Sequence, residues 1–280
     1  MIAMEKYQEV ERSIIKKYRK PIWNRFIGGI KDYELIKPGD KIAVCISGGK
    51  DSVLLACCMQ HLIKYTEIPF SLQFIAMDPG YNPQNRALLL SNCQLLHIPV
   101  KVYDSDIFRV TAGEEKSPCY LCARMRRGYL YRYAQDLGCN KIALGHHFDD
   151  VIETILMSML YGAEMRTMMP KLHSKNFAGM ELIRPLYYVR ERDILAWKRY
   201  NGLQFLQCSC RFTEEGAHKP NGGGKRAQVK ALIAALRADN PQVDTNIFRS
   251  AQGVNLETVL SWRRGSTARN FLDDYDGCKK

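Results

Sequence analysis

Residues 41–56 read KIAVCISGGKDSVLLA: an apolar run, six small or polar residues, then a helical pattern. This stretch constrains the fold most, because a glycine-rich turn between a buried strand and a helix is a place to hold phosphate. Gly48 and Gly49 lack a Cβ, so the backbone can turn tightly and bring N–H groups against phosphate oxygens. A helix starting at Asp51 adds its positive end. Ser47 and Ser52 supply hydroxyl donors and Lys50 a charge. The loop of nucleotide-hydrolysing enzymes, G-x-x-x-x-G-K-[ST], needs Gly where Val44 stands and Ser or Thr where Asp51 stands. Asp51 would repel a bare phosphate, but it fits a loop in which it holds Mg²⁺ or orients the turn. A plain connection is the alternative, and six consecutive residues of this kind weigh against it.

Strands and helices alternate on both sides of the loop. A turn at Pro38-Gly39-Asp40 precedes the strand Lys41–Ser47 and the helix Asp51–Tyr65. Ser71–Met77, Pro99–Tyr103 and Lys141–Leu144 read as further strands. Asn82–His97, Cys122–Leu137 and Asp149–Tyr161 read as the helices between them, with Gly138 capping the second. Ile183–Leu186 reads as a short last strand before a helix over Glu191–Tyr200. This pattern predicts an α/β fold with a parallel, Rossmann-like sheet, in which ligands sit beyond the carboxyl ends of the strands. Residues 1–37 read as a helical lead, 38–205 as the loop-bearing domain and 206–280 as a C-terminal extension. The extension carries helices near Ala227–Ala238 and Val243–Gln252, and a charged, frayed end from Ser261 to Lys280.

A net charge of +12, from 41 Lys and Arg against 29 Asp and Glu, points to a polyanionic partner, nucleic acid first. Met1–Lys20 is studded with charges and has no apolar centre like that of a secretory signal. No apolar run reaches the ~18 residues needed to span a bilayer. The expectation is a cytoplasmic protein, in which ten cysteines are poor disulfide candidates.

Several residues fall at the same strand ends as the loop. Gly145 allows close approach to a nucleotide. Asp149 and Asp150, at a helix start, could hold Mg²⁺ or position a reacting group, and one of them could equally cap the helix. Met77 ends the second strand and is placed with the nucleotide-binding residues. Asp78 is a weaker candidate, since Asp78-Pro79-Gly80 is an ordinary turn sequence. His146 and His147 suit a structural or nucleotide-contacting role. Arg124, Arg126, Arg127 and Arg132 stand on one helix interleaved with Tyr129, Tyr131 and Tyr133. Arginines and aromatics suit RNA phosphates and unstacked bases, although the tyrosines suit inward packing better. Arg126, one turn past Cys122, is the arginine placed in the site.

Cys119 and Cys122 form a C-x-x-C pair at a helix start, and Cys208 and Cys210 a C-x-C pair far downstream. Cys45, Cys57, Cys58, Cys93 and Cys139 lie in apolar settings and read as core. The two pairs could hold structural zinc on four thiolates, or three thiolates could hold an iron–sulfur cluster with one iron open. Spacing alone leaves both readings standing.

Ser47-Gly48-Gly49-Lys50-Asp51-Ser52 resembles the pyrophosphate loop, or PP-loop, of the N-type ATP pyrophosphatases, which split ATP to AMP and pyrophosphate. The run from Cys119-Tyr-Leu-Cys122 through Arg126-Arg127-Gly128, Lys141-Ile-Ala-Leu-Gly-His-His147, Asp149-Asp150, Met169-Pro-Lys-Leu172 and Arg184-Pro-Leu186 resembles the tRNA 2-thiocytidine synthetases within that superfamily. The resemblance covers roughly Asp40 to Cys208. It implies an ATP-dependent sulfurtransferase acting on an anticodon-loop cytidine through an adenylated base. It implies tRNA and ATP as partners, Mg²⁺, a sulfur donor such as a cysteine desulfurase, and a homodimer. It also implies a [4Fe-4S] cluster on three cysteines, here Cys119, Cys122 and one of the downstream pair. The family carries C-x-x-C at that last place, where this sequence has C-x-C, so Cys210 corresponds by role and Cys208 by ungapped alignment. Cys210 is taken as the third ligand. The other expectations kept open are thiolation of a tRNA uridine, a zinc-containing PP-loop ligase or amidotransferase, and a non-catalytic tRNA-binding protein.

Overall fold

Successive residues of strand β1 (Lys41–Ile46) alternate between two cores. Ile42, Val44 and Ile46 face one, Ala43 and Cys45 the other. Strand β2 (Ser71–Asp78) repeats the pattern, with Phe74 and Ala76 on the first side and Ile75 on the second. A strand apolar on both faces must be covered on both, which is the layered α/β arrangement. The computed structural model describes residues 4–111, 118–206 and 224–275. Contacts divide the protein into two units, Met1–Val151 with Met168–Gly224, and Ile152–Thr167 with Lys225–Lys280.

In the first unit, one side of the sheet is covered by α1 (Lys6–Ile15), α2 (Asn24–Asp32), α3 (Lys50–Tyr65), α4 (Pro83–Leu95) and α8 (Glu191–Tyr200). A π-helical turn, Arg19–Trp23, joins α1 to α2. Pro21 inside it lacks an N–H and cannot continue an ordinary helical ladder. The second side is covered by α6 (Pro118–Asp136) through Tyr131 and Ala134. A short helix α5 (Ile107–Thr111) precedes α6.

The remaining strands are β3 (Val100–Asp104), β4 (Lys141–Ala143), β5 (Lys171–His173) and β6 (Glu181–Ile183), and the sheet order is β3-β2-β1-β4-β6-β5. All pairs are parallel except β5–β6. From β1 the backbone moves outward to β2 and β3, then returns to lay β4 on the other side of β1. The connections leaving β1 and β4 therefore diverge, and a crevice opens at their carboxyl ends.

Three expectations are corrected. The sheet carries an antiparallel edge strand, β5, too short to show periodicity. The last parallel strand is Glu181–Ile183 rather than Ile183–Leu186, because Pro185 has no N–H for a ladder. The end expected to be frayed folds over residues 261–275 into a hairpin, β7 (Ser261–Arg264) with β8 (Thr267–Asn270), and a short helix, α11 (Phe271–Tyr275).

At the amino ends of β1, β4 and β6, away from the crevice, lies a buried ion cluster. Lys141 Nζ stands 2.8 Å from Asp40 Oδ2, 3.0 Å from Glu181 Oε2 and 2.9 Å from the Leu35 carbonyl. Asp40 also accepts from the Asn140 amide at 2.8 Å and the Lys37 N–H at 2.6 Å. Burial alone would raise the Asp40 pKa, but Lys141, Asn140 and the Lys37 N–H outweigh it and hold the carboxyl below its ordinary value. A depressed folded pKa gives stability that is present above the unfolded value of about 3.9 and is lost as pH falls through the folded one. Asp40→Asn is expected to cost about 1–3 kcal/mol at neutral pH. That gap should shrink as pH drops below about 4. Thermal unfolding of both proteins from pH 7 to 3 checks this, and a gap constant with pH would contradict it.

In the second unit, α9 (Lys225–Asp239) and α10 (Val243–Ser250) bury Val229, Ile233 and Phe248. Arg237 Nε donates to both carboxylate oxygens of Asp244 at 2.9 Å. Helix α7 (Phe148–Gly162) starts in the first unit and ends in the second. Among the described residues, no helix is long and apolar enough to cross a membrane.

Candidate active site

The turn after β1 is held open by its own residues. Gly48 adopts φ +79°, a region side chains rarely enter, and Gly49 is the N-cap of α3. Ser52 Oγ donates to the Gly49 carbonyl at 2.9 Å and accepts from the Ser47 N–H at 3.1 Å. Ser47 and Ser52 hydroxyls lie 3.1 Å apart. The first-turn amides of α3 remain to meet an anion.

The loop after β4 closes against it. A Cβ on Gly145 would stand 2.9 Å from both the Asp51 carbonyl carbon and the Ser52 nitrogen, so only glycine fits there. Between them the two loops line a cleft of about 570 Å³, within the roughly 300–1,000 Å³ range of ligand sites. Ser47, Asp51, Ser52, Met77, Gly145 and Asp150 all face it, and so do Cys122 and Arg126 of α6. Gly48, Gly49 and Lys50 frame its loop.

Charges in the cleft are arranged in sequence. Lys50 Nζ lies 3.1 Å from Asp51 Oδ2 and 3.3 Å from Glu191 Oε1. Burial disfavours its charge, but the two carboxylates outweigh that and hold the ammonium above its ordinary pKa. The other Asp51 oxygen, Oδ1, is buried without a hydrogen-bond partner among the described residues, with the His147 ring nitrogen Nε2 3.7 Å away. His147 Nδ1 lies 3.5 Å from Asp150 Oδ2. That same oxygen accepts the His147 N–H at 3.0 Å, the back-bond of a helix N-terminus.

Asp149 is placed differently. Its carboxylate is buried and accepts the Glu191 N–H at 2.7 Å, with Arg190 Nε at 3.6 Å. It thereby fixes the start of α8 and the residue that pairs with Lys50. Asp78 serves its turn, accepting the Gly80 and Tyr81 N–H groups at 2.9 and 2.6 Å and pairing with Arg86 at 2.6 Å.

Helix α6 begins at Pro118, four residues before its expected start, so Cys119 falls in its first turn and Cys122 one turn later. Cys122 is half-buried and faces the cleft. The Cys119 side chain and the whole of Cys208 and Cys210 lie outside the described residues. The last described residue before that pair, Leu206, donates its N–H to the Gly48 carbonyl at 3.1 Å. Among the described residues, no three His, Cys, Asp or Glu side chains group as a metal site. The core cysteines behave as thiols. Burial pushes Cys45 and Cys57 up to about 12 and Cys93 to about 11, and raises Cys58 and Cys139 too. A buried thiol of that kind is no ready metal ligand.

Sequence reasoning missed Glu191, more than a hundred residues from Lys50 and without a local pattern, and Tyr81. Tyr81 Oη donates to the Ser47 carbonyl at 3.3 Å and accepts from Arg126 Nη2 at 3.5 Å, tying α6 to the loop. An aromatic right after an Asp-Pro-Gly turn is the only local hint. Tyr81→Phe should weaken ATP binding by about 2- to 10-fold, the equivalent of one neutral hydrogen bond. Calorimetric titration with ATP checks it, and an unchanged Kd removes Tyr81 from the loop's support.

Comparison with known proteins fits this geometry. The PP-loop domain family matches residues 11–210. The tRNA-cytidine(32) 2-sulfurtransferase of Legionella pneumophila (strain Corby) is 36% identical over 234 residues, covering 82% of this chain and 80% of that protein. The protein of the same name from Neisseria meningitidis serogroup A is 37% identical over 274 residues, covering 92% and 83%. Among solved structures, the U34-tRNA thiolase NcsA of Methanococcus maripaludis with its [4Fe-4S] cluster shares the fold. It is 21% identical, with a TM-score of 0.63 over 82% of this chain and 76% of that one. With its phosphate loop, switch-point cleft and cleft-facing cysteine, the protein belongs to the PP-loop family, among the tRNA-cytidine 2-sulfurtransferases.

Proposed function

We infer that this protein replaces the C2 oxygen of a tRNA cytidine with sulfur, at position 32 of the anticodon loop, consuming ATP. The observation that carries this reading is the meeting of the PP-loop and Cys122 in one cleft. An ATP site built only to drive ligation needs no half-buried thiol facing the phosphates.

The C2 carbonyl oxygen attacks the α-phosphorus of ATP, and pyrophosphate leaves. A sulfur nucleophile then adds to C2 of the adenylated base, and AMP departs with the oxygen. The Gly48–Asp51 turn and the first amides of α3 receive the pyrophosphate, and Lys50 moves from Asp51 and Glu191 to its charge. Arg126 and Arg127 present guanidinium groups to phosphate or base from the opposite wall. The buried, unpartnered Asp51 Oδ1 fits a cation, and Asp51 with Asp150 would hold Mg²⁺ alongside ATP phosphates and water, which need few protein ligands.

A [4Fe-4S] cluster fits the thiol set. Cys122 lines the cleft together with Arg126 and Arg127, Cys119 is one turn away, and Leu206, two residues before Cys208, bonds the Gly48 carbonyl. Cys119, Cys122 and Cys210 would hold it, with Cys208 the alternative to Cys210, and the cluster when bound supplies the reactive sulfur. A cysteine desulfurase-type donor, a cytoplasmic setting and a homodimer complete the proposal, as does the division at residues 37 and 205.

The test is mass spectrometry of nucleosides from the tRNA of a deletion strain and its parent. Loss of 2-thiocytidine is the expected result. Loss of a thiouridine instead would move the target base, and an unchanged profile would overturn the reading. Zinc without labile sulfide in the purified protein would favour a PP-loop ligase.

A further inference from the structure

The second unit carries a charged ribbon that the cleft chemistry does not use. β7 and β8 pair Ser261 with Asn270, Trp262 with Arg269, Arg263 with Ala268 and Arg264 with Thr267. Side chains alternate along a strand, so Trp262, Arg264 and Arg269 share one face and Arg263 lies on the other. Gly265, at φ +63°, and Ser266 close the two strands as a two-residue turn. At the open end the Phe271 N–H donates to the Leu260 carbonyl at 3.0 Å, and Asn270 Oδ1 accepts from the Leu272 N–H at 2.8 Å.

Seven of the eight strand residues are exposed and Trp262 is half-buried. A two-stranded ribbon with water on both faces is marginal by itself. From Thr258 to Leu272 the sequence holds three arginines and no acid. Leu260 and Leu272 at its ends are 79% and 64% exposed. The Asp273 carboxylate accepts the Asn270 N–H at 2.8 Å at the open end, and the three arginines along the strands suit a polyanion.

We propose that this ribbon is a tRNA-binding element. Arg263, Arg264 and Arg269 contact backbone phosphates, and Trp262 offers its indole to an unpaired base. Stacking on an aromatic ring suits single-stranded RNA because every base has a flat face. Opposite Arg269, the indole and a guanidinium stand side by side in register, which joins stacking to phosphate contact in one place. The proposal rests on tRNA as the substrate. An acidic protein is the competing occupant, and it makes no use of an indole platform for bases.

The test uses the full-length protein and unfractionated tRNA, with binding measured over a series of salt concentrations. The triple substitution R263Q/R264Q/R269Q should weaken binding about tenfold or more and lower the slope of log affinity against log salt by about 2. The lysine triple R263K/R264K/R269K should restore both, because phosphate contact needs charge. Trp262→Ala should weaken binding with the slope unchanged. Wild-type affinity and slope in the glutamine triple overturn the proposal, whether or not that variant loses an acidic protein partner. Binding is read without thiolation, so the two readings fail separately. If the wild type makes no thionucleoside, the sulfurtransferase reading falls while tRNA binding still decides the ribbon.

Discussion

Cys122→Ala is expected to yield a folded protein that binds ATP and makes no 2-thiocytidine. The side chain is half-buried and faces open cleft rather than core, so its loss leaves no packed cavity. The stability cost should be on the order of 1 kcal/mol, the centre of the range for single substitutions. On the proposed reading ATP meets the Ser47–Ser52 loop, on a different element from Cys122. Activity falls by about three orders of magnitude or more, because no other described thiol can take its place: burial holds Cys45, the other cysteine lining the cleft, at about 12 and therefore protonated. Anaerobic assay with tRNA, ATP and a sulfide source reads the activity. Iron and labile sulfide content, together with the visible absorption of the purified protein, reads the cluster. Full activity, or wild-type iron content with inactive protein, would remove Cys122 from the ligand set.

Gly145→Ala fails for a different reason. The new methyl group meets Asp51 carbonyl carbon and Ser52 nitrogen at 2.9 Å, and both are backbone at the start of α3. Neither atom has the freedom to rotate away that the end of a long side group has. Either β4 and its loop retreat or the phosphate loop shifts, at about 1–3 kcal/mol of overpacking. Any shift moves Asp51 and the first-turn amides together, so ATP affinity should drop about 100-fold or more, since preorganised donors act only in place. Thermal unfolding measures the first effect and calorimetric titration with ATP the second. Wild-type values in both would mean that the two loops are not packed as described.

The parts legible in the sequence were those carried by local pattern. Lys41–Ile46, flanked by Gly48 and Gly49, announces a buried strand and a phosphate turn, and the strand–helix alternation gives the sheet. Ser47, Asp51, Met77, Gly145, Asp150 and Arg126 converge because each sits at the carboxyl end of a strand, in the first turn of the helix that follows, or one helical turn from Cys122. The two adjacent carboxylates could not be told apart in sequence. Only the three-dimensional path of α8 turns Asp149 to the Glu191 N–H and leaves Asp150 at the cleft. The same long-range path hid Glu191. The hairpin escaped because its strands are four residues long and mostly polar, with one apolar residue on each face, so neither period nor hydrophobicity marks them.

The double ion pair of Lys50 makes the loop its own occupant. Asp51 and Glu191 hold the ammonium as an internal salt, so nucleotide bound at Lys50 would arrive by exchange rather than by simple addition. On the proposed reading, a phosphate oxygen reaching Lys50 would displace a carboxylate, and the displaced Asp51 would be available to a cation that travels with ATP. Metal-free nucleotide would leave that carboxylate facing the phosphates uncompensated. The loop would in this sense be a filter for the nucleotide's counterion as much as for the nucleotide.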